Sequence, residues 1–443
     1  MIHPLRILVA AAALALPVSA HAAVEIQEVT SPGGIEAWLV EESSIPFVAL
    51  EIRFDGGAVL DPDDAVGATN LMVALLEEGA AERDAQAFAE AVEGLAARFG
   101  FDAYHDGVNV SAAFLTENRD EGVALLRDAL TRPRFDPDAI ERVREQVLAV
   151  IEQDNNDPSA IAGRKASELA YPDHPYGRPV DGTTESVAGL TRDDLVDAHA
   201  RTLVRSRMHV GATGDITAEE LGLVLDELLG GLPEGEAVDI PMADYALDGG
   251  VTVTEFPTPQ SVVIFGHDSI MQDDPDFFPA FVMNHVLGGR GFDSRLMTEV
   301  REERGLTYGI GSYLSPRDYG ASHLGQFSSG NDRVAEAIAV VRDQWADIAE
   351  NGITQEELDR AKTFLTGAYP LRFDGNGTIA GILVGMQSQG WPTTYIETRN
   401  DRVNAVTLDD VQRVARRIMR PEDLHFLVVG QPEGVESGTL PEG

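Results

Sequence analysis

Hydrophobic positions along this chain fall into two matching sets. Residues 47–54 and 261–267 are short apolar runs of strand length, and each is followed by an aspartate-proline step, Asp61-Pro62 and Asp274-Pro275, and a long helical stretch. Further on, Leu190-Thr191-Arg192-Asp193-Asp194-Leu195 leads through a helix to His209-Val210-Gly211-Ala212-Thr213-Gly214. In the same way Val406-Thr407-Leu408-Asp409-Asp410-Val411 leads to His425-Phe426-Leu427-Val428-Val429-Gly430. Asp194 to Asp410 and Gly214 to Gly430 are both 216 residues apart. Each copy reads as a capped helix followed by an apolar strand that stops at a glycine. The repeat predicts an α+β chain of two similar domains, each a mixed, mostly antiparallel sheet backed by helices. The domains are expected at 23–232 and 251–431, with a linker at 233–250 rich in proline, glycine and acids and a flexible tail at 432–443.

Three helices stand out within this frame. The apolar run from Ala68 to Leu76, closed by Gly79, predicts a buried helix with a glycine C-cap. Residues 141–153 predict another. A third is capped by Asp293 or Ser294, carries Leu296 and Val300 one turn apart, and ends at Gly305 in a left-handed cap. Arg301 then projects from a second face, and Tyr308 is expected to begin a strand. A guanidinium and a phenol at one such junction are suited to a substrate carbonyl or carboxylate.

Residues 1–22 hold one charge, Arg6, an apolar run over 7–17 and Ala20-His21-Ala22, which fits a cleavable secretory signal too short to anchor in a membrane. Export to a bacterial periplasm follows as an expectation. Absence of cysteine excludes disulfides, thiolate metal sites and a lipid-modified N-terminal cysteine. The formal charge is −41, from 74 acids against 33 bases spread along the chain, so nucleic acid and anionic membranes are poor partners. The ten histidines include no pair at helical metal-ligand spacing. His267, His285 and His323 are scattered and expected at the surface or satisfied in the core. No G-x-S-x-G nucleophile elbow occurs.

The run Gly67-Ala68-Thr69-Asn70-Leu71-Met72-Val73-Ala74 resembles the zinc helix of the insulinase, pitrilysin and mitochondrial-processing-peptidase family, whose motif is H-x-x-E-H. The resemblance extends over nearly the whole chain after residue 22. Tyr171-Pro172-Asp173-His174-Pro175-Tyr176-Gly177-Arg178-Pro179 is close to a loop common in these peptidases, with His174 and Tyr176 expected to serve a structural turn. Leu287-Gly288-Gly289-Arg290-Gly291-Phe292-Asp293-Ser294-Arg295-Leu296, continued by residues 299–310, is similar to the family's C-terminal signature. In that family two histidines and a distant glutamate hold zinc while the motif glutamate activates water. The matching positions here are Asn70, Val73, Ala74 and Val150, so this chain is expected to hold no cofactor. Glu145 and Glu152, flanking Val150, are expected to be solvated or paired.

The family's arginine and tyrosine, which bind substrate beside the scissile bond, match Arg301 and Tyr308, with Arg304 a nearby competitor. The resemblance therefore implies a non-zinc subunit whose two domains form half of a clamshell and which pairs with a zinc-bearing homologue as a heterodimer. It would bind extended peptides or unfolded segments and contribute Arg301 and Tyr308 to their hydrolysis. The alternative it implies is an inactive pseudo-peptidase acting as a scaffold, like the family's core subunits in respiratory complexes. Residues 100–105 match the region of the family's substrate edge strand, although an ordinary sheet strand is the better description of them.

Overall fold

The computed structural model describes residues 25–438 apart from 237, 290 and 292. The segment read as a secretory signal, the last residues of the tail, and Arg290 and Phe292 of the signature lie outside the described residues.

The strands are β1 (Gln27–Thr30), β2 (Glu36–Glu41), β3 (Phe47–Asp55), β4 (Gly79–Ala80), β5 (Arg83–Asp84), β6 (Arg98–Ala103), β7 (Gly107–Leu115), β8 (Met208–Gly214), β9 (Gly250–Glu255), β10 (Gln260–Asp268), β11 (Ile310–Arg317), β12 (Gly320–Gly330) and β13 (His425–Gly430). Two sheets run in the orders β1-β2-β8-β3-β7-β6 and β11-β12-β10-β13-β9, with β4 and β5 as a small separate ribbon. In each sheet a long central strand, β3 or β10, pairs antiparallel with the second strand of a hairpin, β7 or β12, and with the last strand of its half, β8 or β13. That last strand runs parallel to β2 or β9 beyond it. The predicted α+β architecture and its internal repeat are thus both present, with helices backing each sheet.

Local chemistry explains the repeat. Thr191 and Thr407 each accept a hydrogen bond from the backbone N–H three residues on, and the Asp194 and Asp410 carboxylates accept one in turn from the threonine N–H, closing two capping boxes worth roughly 1 kcal/mol apiece. The aspartate of each aspartate-proline step is also bound. Asp61 accepts from the N–H of Gly67 and Thr69 and from the Thr69 hydroxyl (2.6 Å), and lies 3.3 Å from Arg201. Asp274 meets Arg417 at 2.6 Å.

One expectation changes. The helix Ala68–Ala74 is shorter than its apolar run: it ends at Leu75 in right-handed conformation, and a turn sends both Leu75 and Leu76 into the core. Gly79, at φ +113°, opens β4 instead of capping the helix. The linker, whose described residues form no helix or strand before β9, is held against both halves. Ala243 N–H donates to Tyr319 O (2.6 Å), Ala246 N–H to Ala170 O (2.8 Å), and Tyr245 packs edge-on against Tyr171.

Each sheet is covered on one face by a helix of the other half. Helix Pro158–Ala170 lies on β13 and β10, where Ile161 and Ala162 cluster with Leu427 and Val429. Helix Asn376–Ser388 lies on β8, β3 and β2, and the Gln387 amide donates to Val210 O at 2.8 Å. The approach is close: a Cβ on Gly211 would stand 2.4 Å from Ala380 O, so β8 needs glycine there. Between the halves sits Tyr176, fully buried. Its hydroxyl donates to Asp106 (2.6 Å) and accepts from Tyr319 N–H (2.9 Å), and the Arg317 guanidinium covers its ring at 3.5 Å. His174 accepts from Tyr176 N–H through Nδ1 and donates to Pro241 O through Nε2. Both residues serve the structural turn that was expected of them.

Candidate functional site

Helix Ala68–Ala74 packs on β6 and on the helix Arg192–Thr202. Its Asn70 is half-buried, Val73 is buried in the core at 2% exposure, and Ala74 faces outward. Val150, on helix Pro137–Asp154, is 51% exposed with Glu145 and Glu152 exposed beside it. None of the four matching positions supplies an imidazole or carboxylate. Among the described residues no three His, Cys, Asp or Glu side chains converge as a metal would require. The donor set does not fit zinc.

The second half is built differently. Helix Phe277–Gly288 ends at a glycine pair because the chain must pass close to β11: a Cβ on Gly288 would lie 2.3 Å from Ser312 Oγ, and one on Gly289 would lie 2.6 Å from the His285 backbone. The junction is pinned by a buried polar network. Asn284 Nδ2 donates to Ser312 O (3.1 Å), and Asn284 Oδ1 accepts from Ser312 Oγ (2.7 Å) and from His323 Nε2 (2.8 Å). His323 and His267, far apart in sequence, face each other across β12 and β10 at 5.7 Å between ring centres. His267 accepts from the Trp345 indole and donates to Asp268 O. The scattered histidines thus include one buried cross-strand pair, while His285 stacks on Phe364. Burial, with Arg420 second, pushes His267 down to about 4, and burial also lowers His323 well below the usual imidazole range.

Ser294 accepts from Met297 N–H, and a π-helical turn follows over Met297–Glu302. Gly305, at φ +61°, closes it with two nested bonds, Gly305 N–H to Arg301 O and Leu306 N–H to Val300 O, both 2.9 Å. The Ser294 cap and the left-handed Gly305 cap both match expectation. Tyr308 does not begin the strand: Thr307, Tyr308 and Gly309 form a short exit before β11, anchored by the Thr307 hydroxyl 2.8 Å from Ser328 O. Tyr308 is 87% exposed. Arg304 is engaged by the carboxylate (2.6 Å) and carbonyl (2.7 Å) of Glu299. Arg301 is half-buried on the preceding turn.

A groove of about 690 Å³ runs over β10, β12 and the sheet-edge strand β11. Val262, Ile264 and Gln326 floor it, and Tyr308, Tyr313 and Ser159 rim it, while Arg301 is outside the lining. Ser159 comes from the helix contributed by the other half. No local pattern could announce it, whereas alternation along β11 could have flagged Tyr313. The segment 100–105 forms most of the edge strand β6 and the turn after it. Phe99 and Phe101 pack on the core, and His105 donates to Arg178 O at 2.9 Å. No helix among the described residues is long and apolar enough to cross a membrane.

Comparison with known proteins agrees with this geometry. Residues 38–184 match the family model for insulinase, peptidase family M16, and residues 189–365 match the model for the peptidase M16 inactive domain. The chain belongs to the insulinase (M16) family. It is 28% identical over 395 residues to the non-peptidase homolog YmxG of Helicobacter pylori, covering 88% of this chain and 90% of that one. It is 26% identical to an uncharacterized zinc protease of Mycobacterium leprae, covering 88% of each chain. Among solved structures, a peptidase M16 inactive domain from Pseudomonas fluorescens superposes with a TM-score of 0.87 at 28% identity, over 94% of this chain and 100% of that one.

Proposed function

We propose that this chain is the non-zinc subunit of a heteromeric zinc metalloendopeptidase, working in a bacterial periplasm beside a homologous H-x-x-E-H subunit. The single observation that carries the reading is the contrast within one molecule. The zinc positions hold valine, alanine and asparagine, while Tyr308 stands almost fully exposed on the rim of an open groove. An extended peptide lies along the groove beside the edge strand β11, whose outer backbone groups are available for strand addition. The Tyr308 phenol donates to the peptide carbonyl, and the Arg301 guanidinium, one short exit away, holds carboxylate or developing oxyanion charge. The metal and the activated water belong to the partner.

The test is a peptide-cleavage assay on this chain alone, on the zinc-bearing homologue alone and on the mixture. Activity in the mixture that falls about a hundredfold with Tyr308→Phe or Arg301→Ala, with the complex intact by gel filtration, supports the reading. A second reading is a scaffold without catalytic contribution, favoured by the 28% identity to a relative named a non-peptidase homolog. In that case the two substitutions leave cleavage unchanged while the complex assembles normally.

A further inference from the structure

A second concavity, about 510 Å³, lies among the helices Phe277–Gly288, Asn376–Ser388 and Tyr395–Ala405. Its walls are unusually aromatic for this chain: Phe277, Phe278, Phe281, Tyr369, Trp391 and Tyr395, with Trp391 and Tyr395 stacked at 3.9 Å. Arg399 lines it at only 7% exposure. Its guanidinium lies 4.6 Å from the Tyr369 ring and 5.5 Å from the Phe281 ring, and its hydrogen bonds go to Leu365 O and the Asn400 amide oxygen. Arg372 also lines the groove, and Arg402 covers the rings of Phe278 and Tyr395.

None of these three arginines pairs with a carboxylate among the described residues, and no aspartate or glutamate lines the groove. The chain as a whole carries 74 acids against 33 bases. A buried cation without a counter-charge among the described residues is costly, so an anion brought in from outside would be favoured there. One further feature admits a backbone. Gly377, Gly381 and Gly385 form a single face of helix Asn376–Ser388, and a Cβ at any of them would meet nothing within 4 Å. A chain can therefore settle on that face while its side chains enter the aromatic walls.

We propose that this groove binds a segment of a second polypeptide that carries a carboxylate between apolar side chains. The carboxylate pairs with Arg399 and Arg372, and the apolar flanks pack on the rings. Charge complementarity selects this occupant, because an anionic lipid surface is repelled by the −41 charge of the rest of the chain. The proposal stands apart from the peptidase-subunit reading.

Its test uses the whole chain and two fluorescein-labelled, amidated hexapeptides of alternating apolar and acidic residues, one with glutamates and one with glutamines in their place, followed by anisotropy. The glutamate peptide is expected to bind at least about tenfold tighter at low salt. That preference should collapse to within about twofold in Arg372→Gln and Arg399→Gln, and Gly381→Leu should weaken both peptides. Because Arg399 also holds Leu365 O, its variant is read alongside the thermal midpoint; Arg372→Gln and Gly381→Leu change exposed positions and keep the test decisive. Equal binding of the twin peptides, or binding indifferent to Gly381→Leu, overturns the proposal. So does recruitment to phosphatidylglycerol vesicles through Arg372 and Arg402 with no peptide binding.

Discussion

The same aspartate-arginine pair occurs once in each half, and the two copies behave in opposite ways. Asp61 and Arg201 tie the first aspartate-proline step to the helix before β8, and Asp274 and Arg417 do the same before β13. The Asp61 side chain is 1% exposed, and burial pushes its carboxyl up despite Thr69, Gly67 and Arg201. The Asp274 side chain is 16% exposed, and its hydrogen bond to Arg417 holds the carboxyl below its usual range. Sequence repetition thus preserves a connection, while depth decides its energetics. By linkage, what Asp274 contributes is present above the ordinary carboxylate pKa near 3.8 and is lost on acidification, whereas ionised Asp61 is carried at a cost relieved as pH falls. The halves differ likewise where the first buries Val73 in its core and the second leaves Tyr308 exposed.

The largest effect that sharpens the comparison is Asp61→Ala. It strands the Thr69 hydroxyl and two backbone N–H groups in the interior and should cost about 3–5 kcal/mol in urea unfolding. Next, Tyr308→Phe should reduce partner-dependent cleavage about a hundredfold, roughly 2.7 kcal/mol, whereas Asn70→Ala in the blank half should leave it within about twofold. Equal losses at the two sites would erase the asymmetry between the halves. Third, Gly211→Ala should cost about 2 kcal/mol by pushing helix Asn376–Ser388 off the first sheet. The equivalent residue of the second sheet, Leu427, already packs a full side chain against helix Pro158–Ala170.

The fourth effect is pH-dependent. The second half buries His267 and His323 opposite each other, where the first pairs Phe54 with Val108. An imidazole whose folded pKa is depressed leaves stability intact above pH 6.5 and lowers it as pH falls toward about 4, because the unfolded chain takes up the proton first. The slope is about 1.4 kcal/mol per pH unit for each histidine. His267→Phe with His323→Val should flatten it, read by Trp345 fluorescence during acid titration. The smallest effect is Asp274→Ala, under about 1 kcal/mol, since the pair is partly exposed and Asp276 still binds Arg417 at 2.7 Å.

Much of this was legible because it is local. Thr191 with Asp194 and Thr407 with Asp410 declare two helix starts, Gly305 declares a helix end, and Asn70, Val73 and Ala74 declare missing zinc donors by residue type alone. Where local rules met a competing tertiary demand they failed. Gly79 lost the cap to a ribbon because Leu75 and Leu76 had a core to fill, and Tyr308 fell short of its strand because the Thr307 hydroxyl anchors the exit to Ser328 O.

The amino-acid order by itself determined the two-fold repeat, the capped starts of its helices, and the donor groups that the first half lacks, since periodicity and side-chain chemistry act within a few residues. Only the tertiary structure decided which half covers which sheet, that His267 meets His323, that Ser159 joins Tyr308 on one groove, and that Arg399 is buried with no carboxylate partner among the described residues. Those facts depend on contacts between residues tens to hundreds of positions apart. Hydrophobic patterning marks a face to be buried; it does not say what buries it.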